Sequence, residues 1–123
     1  MQTIESDALP HVVRKHVVAY NSHDPDAFMA TLARDALVND IQREFVGHSD
    51  IRRWAEKEIF EPRVTLEIEA AFAQSGNTVV RFRVDGDFDK SNLPAPLVLT
   101  YYFALRDDLI SQLIILHNKP AAP

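Results

Sequence analysis

The sequence predicts an α+β domain in which helices cover one face of a mostly antiparallel sheet. Up to residue 62 most apolar residues recur at helical spacing, and from residue 64 the period changes to two. A chain of 123 residues also has length for one buried core and not for two.

Leu9, Val12, Val13, Val17 and Tyr20 form the apolar stripe of a first helix over residues 9–20, with His16 on the same stripe. Ser6 or Asp7 is placed to cap it, and Pro10 falls where a first turn tolerates proline. Asp24-Pro25 has the pattern of an N-cap followed by the first helical residue, opening a second, shorter helix through Phe28 and Leu32. Arg34-Asp35 is expected to turn the chain into a strand, Ala36 to Ile41, with Glu44 to Val46 as its return. Gly47 breaks that pattern. Ser49 or Asp50 is placed to cap a third helix carrying Ile51, Trp54, Ala55 and Ile59, which Pro62 stops.

Val64, Leu66, Ile68, Ala70 and Phe72 then alternate with polar residues, as in a strand with one face in water. Gly76-Asn77 turns into Thr78 to Phe88, where Val80, Phe82 and Val84 alternate with charged residues. Asp89 to Pro96, with two prolines, is a loop. Leu97 to Leu105 and Leu109 to His117 form a last hairpin about Asp107-Asp108. Both faces of that hairpin are apolar. The face bearing Leu113 and Ile115 is therefore expected to lie outside the helix-covered side and to meet a second copy of the chain. The tail, residues 119–123, is expected to be disordered, leaving one domain over 1–118.

Composition excludes several functions. The formal charge is −5 and basic residues occur only as short pairs, Arg14-Lys15 and Arg52-Arg53, so no phosphate track for nucleic acid is available. Without cysteine there is no disulfide scaffold, thiol nucleophile or thiolate metal site. Three glycines write neither a dinucleotide nor a P-loop motif, and the five histidines show no metal-binding spacing. No cofactor or metal is therefore expected. Neither a signal peptide nor an apolar run of membrane-spanning length is seen, and the expected location is the cytoplasm, away from membranes.

The residues left for chemistry are polar ones in apolar settings. Asp40 shares a strand face with Val38. A desolvated carboxylate there has a raised pKa and serves as a general acid or base; the alternative is a solvent-facing strand end or a turn-capping Asp. His16 is either a functional donor or a neutral core histidine. Tyr101 and Tyr102 are adjacent, so one points inward, where its hydroxyl must find a partner. Trp54 belongs to the core or to a pocket wall.

Val12-Val13-Arg14-Lys15-His16, Tyr20-Asn21 through Asp24-Pro25-Asp26, and Asp35-Ala36-Leu37-Val38-Asn39-Asp40 together resemble the opening of a ketosteroid isomerase. That enzyme stands in the SnoaL-like branch of the nuclear transport factor 2-like superfamily. Phe45 through Trp54 resembles the superfamily's glycine turn into the third helix. The resemblance implies a cystatin-like cone, with three N-terminal helices on a curved, mostly antiparallel sheet enclosing an apolar pocket. It places Asp40 where the isomerase has its proton-carrying aspartate, His16 where it has a donating tyrosine, and Tyr101 where it has a protonated aspartate. The base is kept and both donors are changed, yet both replacements still donate hydrogen bonds.

By the same logic Tyr20, Phe28, Trp54, Phe82, Phe103, Ile114 and Leu116 are expected to line the pocket; a filled core is the alternative. The expected ligand is a small hydrophobic, carbonyl-bearing molecule. The reaction implied is Asp-mediated proton transfer of the isomerase or polyketide-cyclase kind. A non-catalytic binding module and a protein-interaction domain are the alternatives. No Asp-Arg-Asp set of the limonene epoxide hydrolase kind can be placed.

Overall fold

The structure, a computed structural model, describes residues 2–118; the tail 119–123 expected to be disordered lies outside the described residues. In chain order come β1 (Gln2–Thr3), α1 (His11–Asn21), α2 (Pro25–Met29), β2 (Leu32–Asp40), β3 (Arg43–Val46) and α3 (Gly47–Ala55). They are followed by β4 (Thr65–Gln74), β5 (Asn77–Asp85), β6 (Val98–Arg106) and β7 (Leu109–His117). A 3₁₀ turn, Ser6–Ala8, precedes α1, and a π-helical turn, Glu56–Phe60, continues α3.

The strands make one curved sheet in the order β1-β4-β5-β6-β7-β2-β3. All neighbours are antiparallel except β2 and β7, which run parallel. Helix α1 lies against β4 and β7, and α3 against β2 and β3. Between helices and sheet sits one core, with Val13, Phe28, Val38, Ile51, Phe82, Phe103, Ile110 and Leu113 almost wholly removed from water. No helix among the described residues is long and apolar enough to cross a membrane.

Several local expectations are corrected. Ser6 and Asp7 do not cap α1; they form the 3₁₀ turn, and Pro10 occupies the N-cap position with no side-chain bond. Helix α2 ends at Met29, and Leu32 already belongs to β2. Arg34-Asp35 is not a turn. The β2–β7 register shifts between Leu32 and Leu37, so these two exposed residues ride out on an irregular stretch of strand, where Asp35 meets Arg106. Helix α3 starts at Gly47, so Ser49 and Asp50 lie in its first turn instead of capping it.

The largest correction concerns β7. Leu113 and Ile115, expected on the outer face, are 1% exposed beneath the helices, whereas Ile114 and Leu116, expected inside, face outward, Leu116 being 40% exposed. The cause is a β-bulge. Arg106 pairs with Leu109 and Leu105 with Ile110, but Ala104 pairs with Gln112, leaving Ser111 as the extra residue. The Ser111 hydroxyl donates to the Ala104 carbonyl at 3.1 Å. One inserted residue moves every following side chain to the opposite face. Tyr101 thus opposes Ile115, and Phe103 opposes Leu113.

Candidate functional site

Asp40 is the last residue of β2, and its neighbours fix its direction. It is level with buried Ile115 across the parallel pair, two residues beyond buried Val38. Its side chain therefore points under the helices, where 14% of it remains accessible. There it borders a cavity of about 370 Å³. Tyr20 from α1, Trp54 from α3 and Tyr101 from β6 border the same cavity; Ile59, Val64, Leu99 and Ile115 are among its apolar walls. The π-helical turn sets three consecutive residues, Lys57, Glu58 and Ile59, along its edge.

One oxygen of Asp40 is fully engaged. The Trp54 indole donates to Oδ2 at 3.1 Å, and Arg43 Nη2 donates to the same atom at 2.5 Å. Arg43 also makes two bonds to Glu58, at 2.9 and 2.7 Å. It thereby joins two carboxylates and is held protonated, its pKa raised chiefly by the bond to Glu58. Among the described residues no hydrogen bond is made to Oδ1, which is left to accept from or take a proton from a ligand.

The two tyrosines complete the polar set. Each is 3% exposed, and both border the cavity beside Asp40. Burial pushes both phenols above their ordinary value; for Tyr101 the neighbouring Tyr20 and the Asp40 charge add to it, and for Tyr20 the Asp40 charge does. Both hydroxyls stay protonated at any ordinary pH, so they are donors. A carboxylate and two phenol donors, in a chamber lined mainly by apolar side chains with Lys57 and Glu58 at its edge, are able to hold a ligand oxygen while a proton is moved nearby.

Of the sequence-derived site residues, Asp40, Tyr101, Tyr20 and Trp54 meet at this cavity. His16 does not. It is 1% exposed, its ring 4.7 Å from that of Phe28 and tilted 39° to it, and edge-on to Phe103 at 5.7 Å. Its Nδ1 lies 2.8 Å from the Thr31 hydroxyl, which itself donates to the Phe28 carbonyl at 2.7 Å. Nδ1 must therefore carry the proton, and Nε2 has no partner among the described residues. Phe28, Phe82 and Phe103 are core residues behind the wall, Phe82 being packed edge-on against Tyr101 at 4.9 Å. Ile114 and Leu116 lie on the opposite face of the sheet, as described above.

Sequence reasoning missed Tyr20 as a donor, Arg43 and Glu58. Tyr20 stands one turn beyond His16 on the same stripe, so periodicity alone does not decide which of the two reaches the cavity. The Arg43 link had a partial signal, since a residue three beyond Asp40 across a tight β2–β3 turn returns to face it. Among the described residues no group of three histidines, aspartates or glutamates could hold a metal ion.

The profile of the SnoaL-like domain matches residues 13–113. No curated protein sequence matches the chain. Solved structures do. A proposed polyketide cyclase from Sinorhizobium meliloti is 30% identical, with a TM-score of 0.81 over 92% of this chain and 100% of that one. A proposed ketosteroid isomerase from Kribbella flavida is 17% identical, with a TM-score of 0.74 over 93% and 80%. The Δ5-3-ketosteroid isomerase of a Mycobacterium species is 19% identical, with a TM-score of 0.71 over 87% and 90%. The last two are similar in fold alone.

Proposed function

The chain belongs to the SnoaL-like domain family, and on that footing we propose that it binds a small apolar carbonyl compound and moves a proton on it. The carbonyl oxygen accepts from Tyr101 and Tyr20, and Oδ1 of Asp40 takes the proton from the adjacent carbon. Electron density then builds on the oxygen, which the two phenols stabilise, and Asp40 returns the proton to a different carbon or to the same one. His16 has no part in this step. The observation that supports the reading is that Asp40, Tyr20 and Tyr101 border one chamber whose walls are mainly apolar, with Lys57 and Glu58 at its edge.

The test is solvent-deuterium exchange into 3-ketosteroids and smaller β,γ-unsaturated ketones, followed by mass spectrometry. Loss of a general base lowers rates by about 10²–10⁴, so Asp40→Asn is expected to fall in that range. Tyr101→Phe, which removes one donor, is expected to cost about 10²-fold or somewhat more. Exchange unaffected by Asp40→Asn would remove the residue from the mechanism.

One observation favours a second reading. Arg43 and Trp54 already donate to Asp40, and a carboxylate so anchored suits the task of orienting a bound ligand without chemistry. Ketone binding in a protein that never exchanges deuterium would select it.

The outer sheet face completes the proposal, with a second copy of the chain as its occupant. With the β7 register corrected, Tyr102 pairs with Ile114 and Thr100 with Leu116 on that side. Tyr102 and Leu116 are 37% and 40% exposed. A patch of this kind on a small domain is the usual signature of self-association.

A further inference from the structure

A second hollow adjoins the Asp40 chamber. It is a groove of about 670 Å³ under the segment that joins β5 to β6, and it shares Val84, Phe88 and Leu97 with the chamber. These three residues border both hollows, Phe88 and Leu97 from opposite ends of the connecting segment. Phe88 is held in place from two sides. Its ring lies so close to Gly86 that a Cβ there would stand 3.0 Å from two ring carbons, and the Lys90 ammonium sits 5.0 Å from the ring centroid.

The groove has an apolar floor and a charged rim. Leu93 and the shared Phe88 and Leu97, all part-buried, belong to the former. On the rim, the cations are already matched: Arg83 bonds Glu69 and Lys90 bonds Asp85, each at 3.1 Å. Nothing in this arrangement calls for an anionic ligand. The chamber alone lies at the small end of the range for ligand sites, and chamber and groove together lie at its large end.

We infer that the groove takes the unbranched alkyl tail of the same ligand whose carbonyl sits beside Asp40, the tail crossing between Phe88 and Leu97. The inference rests on the pocket reading above and adds a substrate class, long-chain carbonyl compounds of neutral charge. Neither the head chamber nor its polar set selects for length; the groove does.

The test uses the whole protein and a homologous series of methyl n-alkyl ketones from butanone to dodecanone, with dissociation constants measured by calorimetry. Trp54 is the single tryptophan and lines the chamber, so its fluorescence reports independently that the head is seated. Each methylene that enters the groove should tighten binding about fourfold. In Leu93→Glu, which puts a carboxylate on the groove floor away from Asp40, the series is expected to flatten. If short ketones shift Trp54 emission but the longer ones bind no tighter, the tail inference is overturned while the pocket reading survives. A length dependence that persists in Leu93→Glu also overturns it, because the tail then lies elsewhere. If no ketone of any length binds, the pocket reading fails and the inference falls with it.

Discussion

His16 shows what a single side chain costs and gives in this core. Its imidazole is neutral in the folded protein because burial lowers its pKa from 6.5 to about 3. The unfolded chain therefore binds one more proton than the folded one throughout that interval. Stability from this group is fully present above about pH 6.5 and is lost as pH falls toward 3, at about 1.4 kcal/mol per pH unit. Urea midpoints are expected to drop between pH 6.5 and 5, before the carboxylates titrate, and His16→Phe is expected to remove most of that drop. An unchanged slope in the variant would mean another group carries it. At this scale the sequence was partly legible. Asp40 stood out as a charge in an apolar strand, and Tyr101 as one of two adjacent tyrosines of opposite direction. The choice between His16 and Tyr20 was not legible, because it depends on how far α1 slides along the sheet, which no spacing within α1 encodes.

Among the elements, α2 was the most readable. Asp24-Pro25 announced its start, and the Asp24 carboxylate does accept from the Ala27 amide at 3.1 Å, with Pro25 in the first turn. Asp24→Ala is expected to cost about 1 kcal/mol, seen as a lower urea midpoint with an unchanged denaturant slope; no loss would show that the cap contributes nothing. Ser6, Asp7, Ser49 and Asp50 carried the same chemical signal without capping, since a hydroxyl or carboxylate caps only where the backbone has already left the helical region. Strand β7 was the least readable element. In β4 the alternation with Thr65 and Glu67 orients the strand as far as Ile68, beyond which a register shift buries Ala71 in place of the expected Ala70 and Phe72; in β7 Leu113-Ile114-Ile115-Leu116 offers apolar residues to both sides. Its orientation was left to the Ser111 bulge, a feature of backbone pairing that hydrophobic pattern does not record.

For the whole molecule, helix-then-strand periodicity was enough to give the α+β architecture, and the parallel β2–β7 contact that closes the sheet was beyond it. The outer face bears on the assembly. The chain mass is 14.0 kDa, and sedimentation equilibrium is expected to return twice that value for the wild type. Ile114→Lys, which sets an ammonium in the middle of the patch, is expected to return the single-chain mass with an unchanged far-ultraviolet spectrum. A wild type that sediments as one chain at all accessible concentrations would rule out self-association through this surface.

The place of β7 has a further meaning. Among the described residues it is the last strand in chain order, yet it lies between β6 and β2 and joins the two halves. While a ribosome still holds it, the newborn chain has the meander on one side, the β2–β3 hairpin on the other, and an open seam between them. Asp40 then has no Ile115 beside it. The chamber around Asp40 is therefore complete only once β7 has entered the sheet between β6 and β2.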